Sequence, residues 1–242
     1  MEFWEGLLAY LAKRAIKGND AAALRDAIRR GADVNGMVPC REKNTGERGL
    51  FPLLFLAALK GFPGMCEILL AEGADANIPA TTTGGVALGC AAYRGFTACV
   101  RLLLDAGADP NSEANDRTTP LHVASNEGRV DAVKLLIAAG ANLEARNQQN
   151  NTPLRLALLE GHREVALTLL RAGAAITVLR RAEITPENGA LHDYMADIIH
   201  DGGWNAHVER HRRPLMSILS NLALPHDALV VVFSFWSPRG GH

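Results

Sequence analysis

The chain has 242 residues, 48% hydrophobic and 21% charged, with 25 basic against 26 acidic side chains and a formal net charge of −1. That balance lacks the surplus of Lys and Arg that a polyanionic partner demands, so neither nucleic acid nor an anionic membrane surface is expected. No run of 18 apolar residues occurs, and Met1-Glu2-Phe3-Trp4-Glu5-Gly6 carries no basic leader, so neither a membrane span nor a secretion signal is expected.

Near the N-terminus, Phe3, Trp4, Leu7, Leu8, Leu11 and Ala15 fall at helical spacing and predict a helix that packs on the body and caps it. A second helix leads into Gly31-Ala32-Asp33-Val34-Asn35. Residues 36–49 carry charges and turn formers and little apolar content, which predicts a long loop outside the core, and one placed to touch a partner. The four cysteines, Cys40, Cys66, Cys90 and Cys99, show no spacing typical of zinc or redox motifs. Reduced thiols in a cytoplasmic protein are expected, with the nucleus as the other compartment.

The main organising feature is an internal repeat. Gly-Ala recurs at Gly31, Gly73, Gly107, Gly140 and Gly173, at intervals of 42, 34, 33 and 33 residues. A second glycine stands 12 residues ahead of each of the last four, at Gly61, Gly95, Gly128 and Gly161. In the fourth unit Thr119 and Pro120 suit a helix start, Gly128 suits its end, and Val130 to Ala139 forms a second helix with Val133, Leu136 and Ile137 on its apolar side. Helix pairs of this size cannot bury their apolar faces alone, so neighbouring units must stack.

Thr119-Pro120-Leu121-His122-Val123-Ala124 closely resembles the signature of ankyrin repeats, and Thr152-Pro153-Leu154-Arg155-Leu156-Ala157 repeats it with arginine in place of the histidine. Pro52-Leu53-Leu54-Phe55-Leu56-Ala57 and Val86-Ala87-Leu88-Gly89-Cys90-Ala91 keep the apolar positions but lose the Thr-Pro start, which weakens their capping. The resemblance implies an all-α solenoid of about five helix-turn-helix units over residues 1–176. His122 would hydrogen-bond within the repeat turns. The implied function is protein-protein interaction by a scaffold or adaptor without enzyme activity or cofactor, and a monomer is expected.

In that family the turn tips and the first helix of each unit form a concave binding side. In this register the resemblance points to Arg48, Phe51, Leu59 and Lys60, then Thr82, Thr83, Tyr93 and Arg94. Further along come Asn115, Asp116, Asn126 and Glu127, followed by Gln148, Gln149, Leu159 and Glu160. Basic and apolar character sits early and acidic character late, and Tyr93 beside Arg94 has the composition of a binding hot spot.

Residues 177–242 lack the repeat and form a second region, expected to be helical around 190–200, 204–221 and 225–236 and to cover the open end of the stack. Leu224-Pro225-His226-Asp227, followed by Leu229, Val230, Val231 and Phe235, resembles the opening of an F-box or the end of a SOCS box. That resemblance implies an alternative role as substrate-recognition adaptor of a cullin-type ubiquitin ligase. A β-strand over the same valine-rich run also stays open. A third reading is a metal-dependent enzyme using His192, His200, His207 and His211, but no spacing there fixes a ligand set, and solvated helix faces explain these histidines better.

Overall fold

The computed structural model describes residues 2–41 and 48–175. Among these, ten helices form five antiparallel pairs: α1 (Glu2–Gly18) with α2 (Ala21–Arg29), α3 (Leu53–Lys60) with α4 (Pro63–Ala71), α5 (Ala87–Arg94) with α6 (Thr97–Asp105), α7 (Pro120–Asn126) with α8 (Val130–Ala138), and α9 (Pro153–Leu159) with α10 (Arg163–Arg171). The odd-numbered helices pack in series as one row and the even-numbered helices as another. Apart from the 17-residue α1, each helix is only about two turns long, too short to persist alone in water, so its stability comes from its neighbours.

The core repeats as the sequence does. Leu54, Leu88, Leu121 and Leu154 stand at one position of the first helices, and Leu69, Leu103, Leu136 and Leu169 at one position of the second, all essentially inaccessible. The small Ala57, Ala91, Ala124 and Ala157 let the first helices approach closely. The glycines that pace the repeat are required by backbone geometry: Gly61, Gly95, Gly128 and Gly161 lie at φ 67–73°, and the five Gly-Ala glycines at φ 84–101°. In the first unit Asn19, at φ 53°, takes the place of the missing glycine.

The N-terminal helix packs on α2 and α3 as expected, and that equivalence makes it the first unit's own inner helix, lengthened at its start. Ala12, Ala15 and Ile16 form its buried face, whereas Leu7 is exposed.

The long first interval is not a loop outside the core. Residues Met37–Arg41 (β1) and Arg48–Pro52 (β2) form an antiparallel hairpin with Val38 opposite Phe51 and Cys40 opposite Gly49. Strand alternation puts Val38 and Phe51 on one face, buried at the stack, and leaves Leu50 exposed on the other. The low apolar content of the interval hid this, because a hairpin needs only alternate positions to be apolar.

Cross-repeat hydrogen bonds tie the turns into one ladder. The Asn35, Asn77 and Asn111 side-chain oxygens accept from the backbone N–H of Asp75, Asp109 and Asn142 at 2.8, 2.8 and 2.7 Å. Asn77 and Asn111 also donate forward to the Gly107 and Gly140 carbonyls at 3.2 Å. Each asparagine is held by the aspartate two residues before it, Asp33, Asp75 and Asp109, which accepts its backbone N–H at 2.9, 2.8 and 2.8 Å. In the fourth unit Glu144 replaces the asparagine and accepts from Ala175 at 2.7 Å.

Asn77→Ala removes two side-chain bonds that cross one junction, to Asp109 and Gly107. A loss of about 1–2 kcal/mol is expected from two exposed hydrogen bonds, read as a lowered urea midpoint. An unchanged midpoint would show that the ladder follows from helix packing and does not contribute to it.

Candidate functional site

The candidate residues fall on two rows. Leu59/Lys60, Tyr93/Arg94, Asn126/Glu127 and Leu159/Glu160 end the first helices at equivalent positions. Lys60, Tyr93, Arg94, Leu159 and Glu160 are exposed, while Leu59, Asn126 and Glu127 are half-buried. The Arg94 guanidinium carbon lies 5.8 Å from the centroid of the Tyr93 ring, a cation–π contact.

The second row, at the turn tips, is largely occupied by contacts between turns. Asn115 donates from its backbone to Thr83 and from its side chain to Thr82, both at 2.9 Å; Gln148 repeats this toward Asp116 and Asn115, both at 2.9 Å. Asp116 accepts from the Thr118 backbone at 3.0 Å. Asn115 and Gln148 therefore spend their amides as rungs, and of the candidates on these tips Asp116 and Gln149 stand exposed without a rung bond from their side chains.

Phe51 does not belong to an exposed surface. The hairpin turns it inward, where its ring sits 5.3 Å from that of Phe55 and only 6% of its surface is accessible. Arg48 stands in β2, and its side chain lies outside the described residues. The adaptor candidates Leu224, Pro225, Leu229, Val230, Val231 and Phe235, with the C-terminal histidines, also lie outside them. Among the described residues no group of three or more His, Cys, Asp or Glu side chains could hold a metal, and no helix is long and apolar enough to cross a membrane.

Between the third and fourth units the two rows enclose a groove of about 320 Å³. Gly89, Cys90 and Tyr93 line it as one stripe of α5 with Val86 just ahead of that helix, Pro120 and Val123 come from α7, Phe55 from α3, and Thr83, Ser112 and Thr118 from the turns. Burial pushes the Cys90 thiol up to about 12, despite the opposing Arg94 charge, so it lines the groove as a neutral apolar group and not as a nucleophile. Cys66 and Cys99 lie one unit apart on the outer helices, away from this surface, and the neighbouring Cys99 thiol together with burial raises the Cys66 thiol.

Gly89 occupies the position that His122 holds in the fourth unit, and sequence reasoning passed over it. At this position Lys13 donates to the Pro39 carbonyl, Phe55 stacks on Phe51, and His122 donates from Nε2 to the Asn151 carbonyl at 2.9 Å. Its Nδ1 accepts the Thr119 backbone N–H at 3.2 Å, closing a capping box with the Thr119 hydroxyl. Thr152 caps α9, whereas α3 and α5 start at Pro52 and Val86 with no side-chain cap. The weaker capping expected of the second and third units is thus present.

The residue after each helix-ending glycine reaches back. Arg129 and His162 donate to the Tyr93 and Asn126 carbonyls at 3.2 and 2.9 Å. In doing so they lie over Gly95 and Gly128, where a Cβ would come within 2.8 and 2.7 Å of them. Tyr93 and Asn126 are thus fixed in place from the next unit.

The model for ankyrin repeats (three copies) matches residues 12–114 and again residues 91–179. The chain belongs to the ankyrin-repeat family. No curated protein matches it. Ankyrin repeats are protein-protein interaction modules, typically in non-enzymatic scaffolds, and the family match runs from within α1 through α10 without reaching the stretch resembling an F-box or SOCS box.

Burial holds the His122 imidazole below its ordinary range against the backbone acceptors Asn151 and Ala145 and the charges of Asp116 and Glu113, which favour protonation. A folded-state value below the unfolded one means that the unfolded chain binds the proton more tightly. The neutral imidazole's contribution is therefore complete above the unfolded value of about 6.5 and is lost as pH falls below it. Urea unfolding at pH 7.5 and pH 5 should show lower stability in acid, and His122→Gln should flatten that difference; an equal pH effect in the variant would place its source elsewhere.

Proposed function

We propose that the chain is a non-enzymatic scaffold or adaptor that binds a partner protein at the groove between its third and fourth units, with Tyr93 and Arg94 as the main contacts. The observation carrying this reading is an exposed aromatic-arginine pair at the mouth of an apolar groove of about 320 Å³, on helices held rigidly by their neighbours. Aromatic and arginine side chains dominate interface hot spots, because each removes a large area from water at little entropic cost. Lys60, Glu127 and Glu160 extend the site along the row, giving it a basic early end and an acidic late end that orient the partner.

Affinity capture from cells, comparing the full chain with the Tyr93→Ala/Arg94→Glu double variant, tests this reading. The two side chains are exposed, so the variant should melt as the parent does while losing at least one reproducible partner. An identical partner set with both would refute it.

We also propose that residues 177–242 are a second region covering the end of the stack at α9 and α10. Leu159, 48% exposed, and the half-buried Leu158 lie on the last described inner helix. A chain ending at residue 176 should melt at a lower temperature than the full chain; equal melting would remove the covering role.

A further inference from the structure

The groove exists because one side chain is missing from an otherwise regular row. Lys13, Phe55, His122 and Arg155 stand where Gly89 stands in the third unit. Lys13 and His122 extend forward to a carbonyl in the next turn, whereas the Phe55 ring packs back against Phe51 of the preceding hairpin and borders the groove with its other side.

Glycine is the least favourable residue after proline for a helix interior, and one retained there ordinarily reflects close packing or function. Close packing does not explain this one: a Cβ built on Gly89 meets nothing within 4 Å. It is also a glycine with ordinary helical φ, unlike the glycines that end the helices.

The wall opposite Gly89 matches the absent group. Ser112, on the turn between the third and fourth units, faces the groove from the position that Ala145 occupies one unit later, close to the reach of His122. The Ser112 hydroxyl is shielded from solvent and has no hydrogen-bond partner. A buried hydroxyl left unpaired costs free energy that a bound donor or acceptor recovers. Phe55, Cys90, Tyr93 and Val123 give the rest of the groove an apolar and aromatic character, with Thr83, Thr118 and Thr119 also on its lining. The volume of about 320 Å³ fits one ring-bearing side chain with its backbone and is small for a helix.

Charge selects what flanks the ring. Arg94 is exposed at the mouth, and among the described residues it has no ion pair; Glu127 occupies the equivalent site one unit later. An acidic residue is attracted on the Arg94 side and repelled on the other, which fixes the direction of an extended segment.

We propose that the groove over Gly89 receives a single aromatic or imidazole side chain, through a ring with a hydrogen-bonding edge, from an extended segment of a partner protein. A carboxylate of the same segment pairs with Arg94. The partner's ring takes the place that His122 fills in the next unit, completing the third repeat from outside. This inference rests on the interaction-surface reading above and names the partner chemistry that the surface selects.

Panning a random nonapeptide display library on the full chain, followed by fluorescence anisotropy of the selected peptides, tests it. Enrichment of Tyr, Trp or His next to Asp or Glu is expected. Gly89→Leu, which fills the groove and improves helix propensity, should raise the melting temperature and weaken binding about tenfold or more, and Arg94→Glu should abolish the acidic preference.

Selected peptides that lose affinity with Tyr93→Ala but ignore Gly89→Leu overturn this inference and leave the interaction-surface reading standing. Peptides indifferent to both changes overturn both. Failure to enrich any binder, or a consensus without a ring, also counts against the inference. Displacement of the selected peptides by a synthetic peptide of residues 224–236 would make the chain's own C-terminal segment the occupant, which overturns the assignment to a partner.

Discussion

Every unit of this chain leaves backbone groups and apolar surface that only the next unit can satisfy, and the structure follows from that dependence. A two-turn helix has more unpaired terminal N–H and C=O groups than internal bonds. Here the Tyr93 and Asn126 carbonyls receive Arg129 and His162, the Asn151 carbonyl receives His122, and the asparagine ladder binds the turns. Stability is therefore spread along the stack, and any one junction contributes to both of its neighbours.

The same dependence explains the two kinds of glycine. Gly95 and Gly128 adopt positive φ and are covered by the Arg129 and His162 side chains of the following unit, so they serve turn geometry and close approach together. Gly89 serves neither, and the space it leaves is the groove. A solenoid makes such an economy simple, since a side chain removed at one register position opens a recess without disturbing the buried leucines behind it. Leu88, beside Gly89, remains fully buried.

Rigidity at this surface has a cost and a use. Asn115 and Gln148, although exposed, are committed to neighbouring turns, which removes them from the set of adaptable contacts. In exchange the tips are held in register, so Tyr93, Arg94 and the walls of the groove need little ordering when a partner arrives. The first turn departs from the others by extending into a hairpin, and its Val38 and Phe51 add to the core where the second unit lacks a side-chain cap.

Much of this was legible in the sequence. The spacing of Gly61, Gly95, Gly128 and Gly161 against the Gly-Ala pairs establishes five units, because positive φ at a helix end admits few other residues. The Thr-Pro-Leu-His stretch likewise establishes the α7 cap, since the Thr119–His122 bonds are local, whereas the bond from His122 to Asn151 spans 29 residues. What the sequence could not decide depends on contacts between distant residues: that Phe51 turns inward and not outward, that the Asn115 and Gln148 amides are spent on Thr82 and Asn115 some 33 residues away, and that the absence of a side chain at Gly89 opens a groove instead of being closed by its neighbours. Local patterns set the repeat and its caps, whereas the burial of each side chain and the free space between units are properties of the assembled stack.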